Sequence, residues 1–159
     1  MILIADTSPL ISLILIGKLD LIEKLYEEYY IPNAVWHELI SHNALINYIE
    51  ELEILSKKIK KTSYNVMPIT GIDIGETECI LLFKELNADY LLIDDKKGRE
   101  IAEQNEIKCI GTLTILYKAK EKGYITDLKN IFIQLIKLKR FYSKPIMNIF
   151  LTKANETLL

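Results

Sequence analysis

The sequence predicts an α/β fold in which a parallel sheet carries helices on both faces. Three observations predict it. The short apolar runs Ile2-Leu3-Ile4-Ala5, Tyr29-Tyr30-Ile31 and Tyr90-Leu91-Leu92-Ile93 read as buried strands. Amphipathic stretches of about ten residues separate them, the spacing of βαβ crossovers. Two of the runs end directly in acids, Asp6 and the pair Asp94-Asp95. Open α/β sheets place their ligand crevice at that edge.

Met1 to Ala5 is the first expected strand, stopped by Asp6. In Asp6-Thr7-Ser8-Pro9, Ser8 suits a helix N-cap and Pro9 the first helical position. A short apolar helix from Leu10 to Ile16 ends at Gly17. A second helix, Leu19 to Glu28, has Leu21, Ile22 and Leu25 on one face. Tyr29 to Ile31 is a short strand, and Pro32 opens a helix through Ile40. Leu45 to Leu55 is expected to be helical, and Asn65 to Ile69 a weak strand or loop. The dense basic run Lys57, Lys58, Lys60 and Lys61 reads as a solvated surface segment.

Gly71 to Gly75 reads as a turn that delivers Glu76 to the first turn of a helix ending near Leu86, where the helix dipole favours a carboxylate. Ala88 to Ile93 is the clearest strand after the first. A helix from Lys96 to Asn105 and a short strand, Lys108 to Ile110, follow. Leu113 to Lys122 is a helix closed by Gly123. Leu128 to Leu138 and Pro145 to Ala154 are the last helices, packing on the core of a single domain spanning 1–159.

With 159 residues, half of them hydrophobic and 26% charged, the chain can bury about two-thirds of its unfolded surface. Its net charge of −2 advertises no global affinity for nucleic acid, so such contacts need a local basic patch or a metal. Cys79 and Cys109 lie in apolar stretches without zinc-ligand spacing, and the absence of a disulfide framework implies a cytoplasmic protein. The apolar stretch Pro9 to Ile16 is too short to cross a bilayer. His37 and His42 lack partners at metal-ligand spacing, which favours surface or packing roles. No G-x-S-x-G, P-loop or G-x-G-x-x-G motif occurs. Tyr26, Tyr29 and Tyr30 could stack on bases, although packing is the simpler reading.

The acids carry the functional reading. Carboxylates gathered at one sheet edge repel one another and call for hard divalent cations, Mg²⁺ or Mn²⁺. Asp6 could bind such an ion directly, with Thr7 or Ser8 on a water or phosphate oxygen. Glu38 and Glu76, taken singly, are an ordinary solvated residue and an ordinary helix-start acid. Glu78, two residues on, points away from Glu76. Asp94-Asp95 is poorly explained by packing. Lys96, Lys97 and Arg99 beside it read equally as a phosphate-attracting group and as a solvated helix start.

Taken together these residues resemble the PIN-domain fold, most closely the DUF3368 group, relatives of VapC-type toxin ribonucleases. The matching pieces are Ala5 to Ile11, Ile31 to Leu39, Gly75-Glu76-Thr77-Glu78, Leu92 to Arg99, and Ile110-Gly111-Thr112-Leu113 with Lys118-Ala119-Lys120. The resemblance implies a PIN-like three-layer α/β/α fold, a crevice of acids binding Mg²⁺ or Mn²⁺, and hydrolysis of single-stranded RNA to a 5′-phosphate and a 3′-hydroxyl. By position it assigns Asp6, Glu38, Glu76 and one of Asp94 and Asp95 to the acidic set, with Asp95 favoured. Ser8 stands where many PIN domains carry Asn. A small antitoxin partner and a homodimer are also implied.

Two other enzyme classes fit less well. Haloacid-dehalogenase phosphatases need a second Asp two residues after the first, where this chain has Ser8. Receiver domains place their acid doublet at the first strand, not late. The rival from another class is a non-catalytic PIN-like module that binds nucleic acid or protein. Four acids facing phosphates argue against it.

Overall fold

A computed structural model describes residues 1–64 and 67–159. Among these residues the sheet has five parallel strands in the order β3-β2-β1-β4-β5. They are β1 (Ile2–Ala5), β2 (Glu28–Pro32), β3 (Ile59–Lys60), β4 (Tyr90–Leu92) and β5 (Cys109–Ile110). The central strand β1 pairs Ile4 with Tyr30 of β2 and with Leu91 of β4. Leu3, Ile4 and Ala5 are wholly buried. A Leu or Ile buried to that extent contributes roughly 2 kcal/mol, which anchors so short a strand at the centre. The chain winds from β1 outward through β2 to β3, then crosses to β4 on the other side. The carboxyl ends of β1 and β4 therefore flank the reversal of strand order, where a crevice opens.

The helices are α1 (Thr7–Leu15), α2 (Leu21–Leu25), α3 (Asn33–Ser41), α4 (Ile49–Ser56), α5 (Ile74–Glu85), α6 (Lys96–Gln104), α7 (Thr112–Glu121), α8 (Leu128–Lys137) and α9 (Lys144–Lys153). Helix α5 lies against β1, β2 and β4 with α3 packed on it, while α1 and α2 meet α7, which also carries α8 and α9. This is the expected three-layer arrangement. No helix among the described residues is long and apolar enough to cross a membrane.

The structure differs from the sequence reading in four places. Helix α2 stops at Leu25, and Glu28 joins β2 opposite Ile2. The pairing buries Tyr29 and Ile31, and Tyr26 beside them is buried too. These gains outweigh continuing a helix. The stretch 45–55 is split between a 3-10 turn at Asn43–Leu45 and α4. The basic run lies on the surface as expected, but within it Ile59 and Lys60 pair with Ile31 and Pro32 as an edge strand. Lys58 and Lys60 cover the rings of Tyr29 and Tyr30 at 4.6 and 5.0 Å. Lysine on an edge strand also blocks further pairing. Finally, α1 begins at Thr7 with Asp6 as its N-cap residue, so Ser8 is not the cap. Of the stretch 65–69, Asn65 and Val66 lie outside the described residues, and 67–69 form no regular element.

Candidate active site

Asp6 follows β1 directly, and its backbone N–H donates to the Leu92 carbonyl of β4 at 2.9 Å. This bond locks the two strand ends together beneath the carboxylate. Glu38 comes from the middle of α3, where it accepts a hydrogen bond from the Thr7 hydroxyl. Glu76 stands in the first turn of α5 within a capping box: Asp73 Oδ1 accepts from the Glu76 N–H at 2.8 Å, and Glu76 Oε2 from the Asp73 N–H at 3.2 Å. Asp95 N-caps α6 through Oδ2, which accepts from the Gly98 N–H at 2.7 Å. One crevice of about 320 Å³ is lined by Asp6, Thr7, Ser8, Glu38, Asp73, Glu76 and Asp95, together with Ile11, His42 and Arg140.

Two glycines make room for the acids. A Cβ on Gly75 would stand 2.6 Å from Glu38 Oε1, and one on Gly98 would stand 2.8 Å from Glu76 Oε1. Helix starts α5 and α6 thus present bare backbone to the carboxylates of their neighbours.

The electrostatics are those of a like-charged cluster held partly out of water. Asp6 is 6% exposed and its pKa is pushed up to about 8, first by burial and then by the charges of Glu76, Glu38 and Asp73, against a lowering bond from the Thr7 N–H. Glu76, 7% exposed, is pushed up to about 7 by burial and by Asp73 and Asp95. Glu38 is raised by burial, and by Asp73 and Glu78, although the Thr7 hydroxyl works the other way. Among the described residues no lysine or arginine pairs with any of these acids. Arg140 in the wall is engaged elsewhere: its Nε donates to Ser12 Oγ at 2.9 Å and its Nη2 to Ser8 Oγ at 2.8 Å.

The donor set fits a hard divalent ion, since it is all oxygen, carries excess negative charge and stays partly protonated without a cation. It is not a closed cage: among the described residues, no three His, Cys, Asp or Glu side chains group tightly enough to hold one ion by themselves. That openness suits Mg²⁺, which keeps several waters and takes few carboxylates.

The other expected site residues are placed as follows. Asp94 faces away from the crevice. Its carboxylate accepts from the Thr112 N–H at 2.8 Å, the Thr112 hydroxyl at 2.6 Å and the Tyr142 hydroxyl at 2.7 Å, which pins α7 and the α8–α9 loop. These bonds give Asp94 a structural role, and of the doublet it is Asp95 that lines the crevice. Ser8 Oγ lies on the crevice wall but is taken by Arg140. Lys96 and Arg99 line a neighbouring groove rather than the acidic crevice. Glu78 accepts from the Ala34 N–H at 2.7 Å at the start of α3, away from the crevice as its position implies. Tyr26 and Tyr29 are buried packing residues. His37 bonds Asn33 at 3.2 Å, whereas His42 lies in the crevice wall.

Asp73 and Arg140 are lining residues that the sequence reading did not single out, and His42, expected in a surface or packing role, is a third. Asp73 carried a legible signal, because Asp followed three residues later by Glu is a capping-box pattern. Arg140 carried none, since it arrives from the far end of the chain.

The family model of DUF3368, described as a PIN domain, matches residues 2–156. The chain belongs to this PIN-domain family. A solved structure of similar fold is a PilT N-terminus domain protein, SSO1118, from the hyperthermophilic archaeon Sulfolobus solfataricus P2. It shares 20% identity with a TM-score of 0.53, over 75% of this chain and 93% of that one. No curated protein sequence matches the chain. PIN domains are generally nucleases and generally use divalent metal ions.

Proposed function

We propose that the crevice hydrolyses phosphodiester bonds of single-stranded RNA with Mg²⁺ or Mn²⁺, as an endoribonuclease. One observation carries the reading: Asp6 and Glu76 are buried beside Glu38, Asp73 and Asp95 with no basic side chain paired to any of them among the described residues. A structural role alone gives no reason to bury two neighbouring carboxyls without a basic partner.

In this reading Asp6, Glu38, Glu76 and Asp95 would share one or two hydrated ions, some of them through bridging waters. When bound, the metal activates a water and stabilises the charge that develops on phosphorus. The chain's own groups prepare for it. The Thr7 hydroxyl fixes one oxygen of Glu38, and the Asp73 and Glu76 backbones fix the α5 acids. A cation held here would favour the ionised form of Asp6, because opposite charge acts against the shift that burial imposes. No side chain acts as nucleophile, and the products are a 5′-phosphate and a 3′-hydroxyl.

The test is cleavage of labelled single-stranded RNA with Mn²⁺. Asp6→Asn should lose activity about a hundredfold or more, with its circular dichroism spectrum unchanged. Equal cleavage by this variant contradicts the assignment. A toxin role, with a small antitoxin over the crevice and a homodimeric assembly, rests on the likeness to VapC-type ribonucleases. Growth arrest on expressing the wild-type chain, absent with Asp6→Asn, is the outcome that supports it.

A further inference from the structure

The acidic crevice opens at Ser8 and Arg140 onto a surface of opposite charge. From Ile136 to Lys153 the chain carries Lys137, Lys139, Arg140, Lys144 and Lys153 and no acid, in a protein whose net charge is −2. A cavity of about 230 Å³, lined by Ser8, Lys139, Arg140 and Phe141 among others, adjoins the crevice. Beyond Phe141 it meets a groove of about 470 Å³ whose walls include Arg99, Leu113, Ile146 and Phe150.

Phe141 is 91% exposed, although the residues on either side of it are firmly held. Arg140 is bound to Ser8 and Ser12, and the Tyr142 hydroxyl is 2.8 Å from Ser12 Oγ and 2.7 Å from Asp94 Oδ2. The loop is thus anchored at both neighbours in a way that keeps the Phe141 ring in solvent. Arg99 lines the groove wall, and its Nε is buried there without a hydrogen-bond partner among the described residues. Neither Arg99, Lys139 nor Arg140 pairs with a carboxylate among the described residues. Among the described residues the one acid in these walls is Asp94, whose carboxylate is taken by three donors.

We infer that this surface is the track along which a single RNA strand leaves the crevice, with Lys139, Arg140 and Arg99 on its phosphates and Phe141 stacked on a base. The inference rests on the nuclease reading of the crevice for its direction. Cations interleaved with an exposed ring are what a single strand needs, because its bases are free to stack and its backbone is uniformly anionic. A second copy of the chain would use the apolar residues here but would gain nothing from the unpaired cations.

The experiment measures binding of a short labelled oligouridylate by fluorescence anisotropy in EDTA, so that no cleavage intervenes. Phe141→Ala should weaken binding about tenfold, the size of a lost base-stacking contact. Lys139→Gln should reduce the salt slope by about 0.7, one phosphate contact on a single strand. Both changes are at exposed loop positions, and unaltered melting temperatures verify the fold. Binding by both variants equal to wild type, or no binding by wild type, overturns the track. So does loss of a concentration-dependent dimer in Phe141→Ala with RNA binding intact, which assigns the face to a second copy. Normal track behaviour without Mn²⁺-dependent cleavage by wild type instead overturns the nuclease reading and leaves the track standing.

Discussion

Gly75 and Glu38 are fitted so closely that any side chain at position 75 takes the space of the Glu38 carboxylate: a Cβ there would be 2.6 Å from Oε1. The pair joins α5 to α3, two helices that approach each other over the crevice floor. What must yield is the far end of a flexible glutamate, not backbone. Gly75→Ala should therefore fold normally, with stability unchanged or raised by up to about 1 kcal/mol because alanine favours the helix. The same change should swing Glu38 off the Thr7 hydroxyl and weaken Mn²⁺ binding several-fold. Isothermal titration of Mn²⁺ together with thermal melting checks both halves. Reduced stability with unaltered metal affinity is the opposite pattern.

Stability should fall as pH rises through neutrality when no divalent ion is present. Asp6 and Glu76 are pushed up to about 8 and about 7, from ordinary values of 3.8 and 4.5. Between the ordinary and raised values the folded chain holds protons that the unfolded chain has released, so each pH increment favours unfolding. The contribution is fully present below about pH 4 and is lost as pH rises through about 7 for Glu76 and about 8 for Asp6. Melting in EDTA from pH 5 to 8 should show the decline. Asp6→Asn should flatten it and raise the melting temperature on the order of 5 °C at pH 8. A melting temperature that rises over this range in EDTA contradicts the electrostatic picture.

The aspartate doublet should divide into two separable roles. Asp94→Ala removes the acceptor for Thr112 and Tyr142 and should cost about 1–3 kcal/mol of stability. Asp95→Asn keeps a good N-cap for α6, so stability should barely move, while RNA cleavage drops about a hundredfold. Urea unfolding and a cleavage assay on both variants make the comparison. Loss of cleavage with Asp95→Ala but not with Asp95→Asn would reduce Asp95 to a cap.

Much of this layout was legible because it is local. Strands β1 and β4 are short apolar runs stopped by acids, so the placement of Asp6 and Asp95 at one sheet edge follows from strand order. Glu38 and Glu76 were readable as positions, but only tertiary packing shows that Gly75 and Gly98 admit them. Strand β3 was obscured because its two residues sit in a lysine-rich stretch, and an edge strand needs no apolar alternation. Glu28 was misplaced because the end of a short amphipathic helix and the start of a strand share the same pattern there. Arg140 and Phe141 were invisible for a different reason, since their proximity to Ser8 depends on how α8 and α9 fold back over α7.

The central claim is that acids distant in sequence form a pocket that captures a divalent cation. Its most direct test is thermal melting at pH 8 with increasing Mn²⁺, for the wild-type chain and for Asp6→Asn. Binding linkage predicts that millimolar Mn²⁺ raises the wild-type melting temperature and that the rise disappears in the variant. No rise in the wild type, or the same rise in both, contradicts the account.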